Sequence, residues 1–265
     1  MTVLVGIRCR DGVVIASDSA ATFGSNGQMT IGQQSVQKVS IIRDRIVFAG
    51  TGAVGIAQLI IDSIDRGWAD NSFRGLRTPE QMMDAIGRRI ASLVEPYLRS
   101  ANLQRGLTGE ASASLCKSLV ALPVANRFHL FQFEFNGSPE HATRDLPFVS
   151  LGSGQAIADP FLALLKRLLW PSEEPTLAEG RLAAVWTIDH VRRTTPGGVG
   201  GDIQLATLTD GITGVPETVR LAEQTEVQEH IQAVEAALAA LVAQIRGAND
   251  AQGTVEAPDF PAPAS

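Results

Sequence analysis

The sequence predicts an α+β fold in which antiparallel strands form two stacked sheets between two helical layers. Three observations carry that expectation. Strand-like runs arrive in blocks instead of alternating singly with helices, which argues against a parallel βαβ chain. Neighbouring runs are joined by short polar turns such as Arg10-Asp11-Gly12 and Arg43-Asp44-Arg45, which suit hairpins. Segments with helical apolar spacing come in pairs between the strand blocks.

Residues 3–7 are apolar and β-branched and read as a first strand. Residues 12–18 read as a second, ending on the carboxylate of Asp18. A hairpin between them returns Asp18 to the neighbourhood of Thr2. Residues 35–42 read as a third strand with one lysine, Lys38, in an apolar run, and residues 46–50 as a fourth that stops at Gly50. A helix over 51–70 follows, with Ile56, Ile60, Ile61 and Ile64 on one side. After a polar break at 71–77, Thr78-Pro79-Glu80-Gln81 has the form of a capping box. Met82, Ile86, Ile90, Leu93 and Tyr97 mark the stripe that helix buries, and 101–113 reads as a connection.

Residues 115–125 and 127–135 read as two more strands. The second alternates Phe128, Leu130, Gln132 and Glu134 against His129, Phe131, Phe133 and Phe135, which makes His129 a partly buried sheet residue. A strand over 147–151 turns at Gly152-Ser153-Gly154 into a helix ending near Trp170, then a helix over 177–193 and a strand over 202–208 close a first domain at 1–215. From 216 to 247, Val227, Ile231, Val234, Leu238, Leu241 and Ile245 form a heptad seam, suited to packing on its own domain or on another subunit. Gly247 is expected to end that helix, and the proline-containing stretch 248–265 to be disordered.

A hydrophobic fraction of 45% suffices for a large core, and a net charge of −6 argues against a nucleic-acid or anionic-membrane partner, which would call for a basic face. Cys9 and Cys116 lie in apolar runs and read as buried free thiols of a reducing compartment. The opening apolar run is too short for a signal peptide, so a cytoplasmic location is expected. No cysteine, histidine or carboxylate stands at metal-ligand spacing from His129.

The chemistry centres on residue 2. Removal of Met1 would give Thr2 both a hydroxyl and a free α-amine. A hydroxyl needs a neighbouring base to become a nucleophile, and an α-amine with a pKa near ~8 is partly neutral at cellular pH and can serve. In sequence order the chain then supplies Thr2-Val3-Leu4-Val5-Gly6, Ile15-Ala16-Ser17-Asp18 with Thr22, Gln37-Lys38-Val39, Phe48-Ala49-Gly50 and Leu151-Gly152-Ser153-Gly154. In this order and spacing they resemble a β-type proteasome subunit. That family comprises N-terminal-nucleophile hydrolases and is related to the bacterial proteasome homologues and heat-shock peptidase rings.

The resemblance spans roughly residues 2 to 215 and implies a four-layer αββα sandwich with an added C-terminal helix. It implies a threonine peptidase without a cofactor or metal. Thr2 would attack the peptide carbonyl, Lys38 would stabilise the developing alkoxide and Asp18 would anchor Lys38. The Gly50 N–H would donate to the oxyanion, and Ser153 would bond near the α-amine. The backbone at Thr22 and Gly52 would pair with substrate as an added strand, and Ala21 and Phe48 would wall the pocket beside the cut bond. The implied assembly is a homo-oligomeric stacked double ring, seven-fold favoured over six-fold. It would act on peptides or unfolded protein supplied by an ATPase or other unfolding partner.

One stretch departs from the family pattern. Before Gly200-Gly201 the family places an acid and a hydroxyl where this chain has Pro196 and Val199, so the amine is expected to be thinly supported. Two alternatives stand beside the peptidase: a ring with weak or no peptidase activity or with a non-peptide amide as substrate, and a dinucleotide-binding protein. The second rests on Gly50-Thr51-Gly52-Ala53-Val54-Gly55, a G-x-G-x-x-G run with Asp70 about twenty residues on.

Overall fold

A computed structural model describes residues 2–22, 33–108, 115–195, 199–209, 216–218 and 221–251. The opening hairpin pairs β1 (Leu4–Cys9) with β2 (Gly12–Asp18), and Leu4 lies opposite Ser17. β10 (Phe148–Leu151) joins β1, and β11 (Ile203–Thr209) joins β2. With β12 (Pro216–Thr218) the first sheet has the order β10-β1-β2-β11-β12. A small ribbon pairs β3 (Ala20–Thr22) with β4 (Gln33–Ser35). The second sheet runs β5-β6-β7-β8-β9, formed by β5 (Val39–Ile42), β6 (Ile46–Gly52), β7 (Cys116–Val124), β8 (Arg127–Phe133) and β9 (Pro139–His141).

Strand alternation divides the apolar residues between two cores. In β8, Phe128 and Leu130 face the first sheet, where they meet Leu4, Ile15, Leu151 and Leu208. Phe131 and Phe133 point the other way, onto α1 (Val54–Ala69) and α2 (Pro79–Thr108) through Ile60, Ile64, Ile86 and Ile90. α3 (Gln155–Leu169) and α4 (Leu177–Thr194) cover the other face of the first sheet, completing four layers. Each fully buried Leu, Ile or Phe contributes about 1.5–3 kcal/mol, so the intersheet core alone outweighs any single polar contact.

Side-chain caps fix the starts of two helices. Thr78 and Gln81 exchange hydrogen bonds at the head of α2, and Thr176 forms a capping box with Glu179 at the head of α4. The buried stripe of α2 continues from Ile90 to Val94, while Tyr97 is exposed, contrary to the expected spacing. Steps of four through Met82, Ile86, Ile90 and Val94 wind the buried face slowly around a helix of 3.6 residues per turn, and Tyr97, three residues beyond Val94, falls behind it. α2 also runs on to Thr108, into the stretch expected to connect. The expected strand over 35–42 is broken: β4 ends at Ser35 and β5 begins at Val39, leaving Lys38 between them.

Both cysteines are buried free thiols, and burial pushes the Cys116 thiol up to about 12. β6 is antiparallel to both neighbours, and α1 leads into α2 instead of a parallel strand. That topology removes the βαβ setting a dinucleotide fingerprint needs and rules the reading out.

The chain divides into two units, residues 1–219 and 220–265. The second contains α5 (Leu221–Ala251), which passes through Gly247 instead of ending there. The remainder of the tail expected to be disordered, from 252 on, lies outside the described residues. No helix among the described residues is long and apolar enough to cross a membrane.

Candidate active site

Thr2 stands just before β1, and the antiparallel hairpin brings the end of β2 beside it. Asp18 terminates β2 with its side chain wholly buried. Its Oδ1 accepts hydrogen bonds from the Val3 amide at 3.0 Å and from Lys38 Nζ at 2.8 Å. Its Oδ2 accepts from the Gly200 amide at 3.2 Å. A buried carboxylate is costly unless paired and hydrogen-bonded, and these three donors meet that demand.

Lys38 enters from the segment between β4 and β5 with its side chain only 7% exposed. Its Nζ also donates to Thr2 Oγ1 at 3.0 Å, so one ammonium spans the carboxylate and the hydroxyl. Burial lowers the Lys38 pKa, more than the hydrogen bond and charge of Asp18 raise it. A positive charge held this close favours an alkoxide at Oγ1 over the neutral hydroxyl.

The Thr2 nitrogen here is the amide of the Met1–Thr2 bond and occupies the place of the α-amine that removal of Met1 would leave. It donates to Ser153 Oγ at 3.0 Å. The Gly154 amide donates to the Thr2 carbonyl at 3.1 Å, which ties the Gly152–Gly154 turn to Thr2. Gly152 has φ +98°, and a Cβ there would lie 2.2 Å from the Thr2 carbonyl oxygen, so only glycine fits this approach. Val199, where the resemblance implies a hydroxyl, is buried and apolar, and Pro196 lies outside the described residues.

A cleft of about 810 Å³ opens beside Thr2. Of the residues singled out from sequence, Thr2, Lys38, Gly50, Ser153, Ala21, Phe48 and Gly52 all line it. Asp18 lies behind Lys38, out of the cleft. Thr22 has its backbone in β3 opposite Gln33, and its side chain lies outside the described residues. The Gly50 amide makes a long 3.4 Å contact with the Lys38 carbonyl, near the limit of a useful hydrogen bond. Val36, Ser40, Ala57 and Ile61 add a largely apolar wall around Phe48.

Gln204, which the sequence reading did not single out, is part of the same assembly. Its Oε1 accepts from the amides of Lys38 and Val39 at 2.7 and 3.0 Å, and its Nε2 donates to the Val36 carbonyl at 2.6 Å. The signal available in the sequence was a lone amide in a strand whose other residues are apolar or threonine, within a few residues of Gly200-Gly201. Among the described residues no group of three or more metal-ligating side chains is arranged to hold a metal ion.

Known proteins resemble the chain in sequence and in fold. The family model described as proteasome subunit matches residues 2–193. A proteasome subunit beta of Halobacterium salinarum is 28% identical over 218 residues, covering 81% of this chain and 76% of that protein. The solved structure of Anbu (ancestral beta-subunit) from Yersinia bercovieri superposes with a TM-score of 0.66 at 15% identity, over 90% of this chain and 96% of that one. A helical assembly of the Anbu complex from Pseudomonas aeruginosa gives a TM-score of 0.65 at 18% identity, over 89% and 95%.

Proposed function

This chain belongs to the proteasome subunit family, and from that membership we propose that it is a threonine hydrolase that cuts peptide bonds with the hydroxyl of Thr2. The observation that carries the reading is the line Asp18–Lys38–Thr2, with Nζ 2.8 Å from the carboxylate and 3.0 Å from Oγ1. Removal of Met1 frees the α-amine, which takes the Oγ1 proton directly or through a water. Oγ1 then bonds to the peptide carbonyl carbon, and the carbonyl oxygen becomes an oxyanion that takes the Gly50 N–H in place of its long contact with Lys38. The C–N bond breaks as the α-ammonium returns its proton to the leaving nitrogen. Water hydrolyses the resulting ester and restores Thr2.

Ser153 orients the amine, and Asp18 holds Lys38 without touching substrate. The apolar wall of Ala21, Val36, Phe48 and Ile61 receives the side chain on the acyl side of the cut bond. Backbone at Thr22 and Gly52 pairs with the peptide as an added strand. The proposed setting is the cytoplasm, in a homo-oligomeric stacked ring fed by an unfolding partner. Particle averaging of the purified protein tests this, and an open helical array, the form named for the Pseudomonas relative, would replace it.

Intact-mass measurement should find Met1 absent, and a peptide boronate should form a Thr2 adduct that Thr2→Ala abolishes. Retained Met1, or no adduct on the wild-type protein, would end the proposal. A second reading is favoured by one observation, the buried Val199 in place of a hydroxyl: an assembled subunit that acylates Thr2 but turns over slowly. Rapid adduct formation with single-turnover kinetics would select it.

A further inference from the structure

A second hollow, of about 270 Å³, opens next to the cleft. It shares Thr51 and Gly52 with the cleft and is completed by Leu115, Lys117, Phe135, Gly152 and Gln155. The sheet order β5-β6-β7 separates the two at the end of β6. Ser40 places the cleft on the β5 side, and Lys117 places the hollow on the β7 side. Gly152, which touches the Thr2 carbonyl, forms part of the hollow's wall.

The proton route decides which part of a substrate reaches it. The α-amine must hand its proton to the leaving nitrogen, so that nitrogen departs on the amine's side of Oγ1. The Thr2 nitrogen faces Ser153, whose neighbours Gly152 and Gln155 wall the hollow. The acyl side chain occupies the apolar cleft, and the leaving segment is directed past Gly152.

We propose that this hollow is a subsite for the leaving-group side of the substrate and that it selects a carboxylate there. The proposal rests on the threonine-nucleophile reading above. Lys117 is the one charged residue among the described residues lining the hollow. Its Nζ lies 2.7 Å from Glu134 Oε2, and Gln132 donates to the other oxygen of Glu134, which fixes the ammonium at the rim. An ammonium carries three donors, so the pair with Glu134 leaves capacity for a second acceptor. Phe135, 36% exposed, and Leu115 offer apolar contact to the stem that carries the carboxylate. The carboxylate can be an Asp or Glu side chain following the cut bond or the C-terminus of a short leaving product.

The test uses peptides identical on the acyl side and different beyond the cut. One arm compares Glu with Gln after the cut, and the other a free with an amidated C-terminus. In the wild-type protein the acid member of at least one arm should be cleaved about 3–10-fold more efficiently by kcat/KM, the modest range of a partly exposed ion pair. The arm that shows the preference identifies the source. In Lys117→Met the ratio should fall to about one, and in the wild-type protein it should shrink as salt is raised. Equal cleavage in both arms, or a preference retained in Lys117→Met, overturns the subsite while leaving the nucleophile standing. Failure of the wild-type protein to form a boronate adduct overturns the parent reading, and the subsite falls with it.

Discussion

Gln204 grips Lys38 by the backbone: one side-chain amide binds the amides of Lys38 and Val39 and the carbonyl of Val36, all within 3.0 Å. Lys38 stands where the third strand is interrupted, so no ladder holds it on that edge. A residue of β11 in the first sheet therefore sets the position of the cation delivered from the segment between β4 and β5. Gln204→Ala should lower kcat about 10–100-fold with a much smaller change in KM, because a shift near one ångström at a reacting group costs that order. Gln204→Glu keeps an accepting oxygen and should retain more activity. Equal losses in the two variants, or a loss confined to thermal stability, would reduce Gln204 to a structural role.

The pH profile should be bounded by two groups. Its acid limb should report protonation of the α-amine, whose ordinary value is about 8. Its alkaline limb reports loss of the Lys38 proton and should fall below the ordinary lysine value of about 10.4, since burial lowers that group. Lys38→Ala should remove most activity. Lys38→Arg, if active, stays charged, and its alkaline limb should move upward. An unmoved limb in Lys38→Arg would assign the titration elsewhere.

Gly152→Ala should cut activity by about 100-fold or more, because the added carbon would displace the Thr2 carbonyl. Gly75 supplies the control: it has φ +92° and nothing within 4 Å of a built Cβ. Gly75→Ala should cost about 1–3 kcal/mol of stability through backbone strain and leave kcat unchanged. Comparable kinetic losses in both would show that strain, and not contact with Thr2, governs the effect.

Stability should weaken in mild acid through a histidine pair on the edge of the second sheet. His129 Nδ1 and His141 Nε2 are 3.2 Å apart, so one ring must accept while the other donates. Burial lowers the His141 pKa, the Arg8 charge adds to that, and Glu80 opposes it. Between the ordinary value near ~6.5 and the lower folded one, the unfolded chain binds a proton that the folded chain does not. Stability is therefore fully present above that window and lost as pH falls through it. Thermal unfolding from about pH 7 to about pH 5 should show a slope that His141→Asn reduces, and identical slopes would exclude the pair as its source.

Much of this was legible in the sequence because periodicity is local. The alternation in 127–135 placed Phe128 and Phe131 on opposite faces, and they now sit in separate cores. The hairpin turn at Asp11-Gly12 set Asp18 beside the start of β1, where its carboxylate takes the Val3 amide. What escaped was non-local. Gln204 and Lys38 are 166 residues apart, and nothing in either segment announces the other. The short strands β3, β9 and β12 are each three residues long, too short to show alternation against their surroundings. Tyr97 was misplaced because the expected stripe stepped from Ile90 to Leu93, whereas the buried side keeps steps of four through Val94 and winds away from Tyr97.

Asp18 accepts from Val3, Lys38 and Gly200, three points of the chain that meet only when both sheets have closed on each other. On the proposed mechanism, folding and arming are thus one event. A partly folded chain would then carry the hydroxyl of Thr2 without the cation in place beside it, so the same carboxylate that completes the fold would also serve as its safety catch.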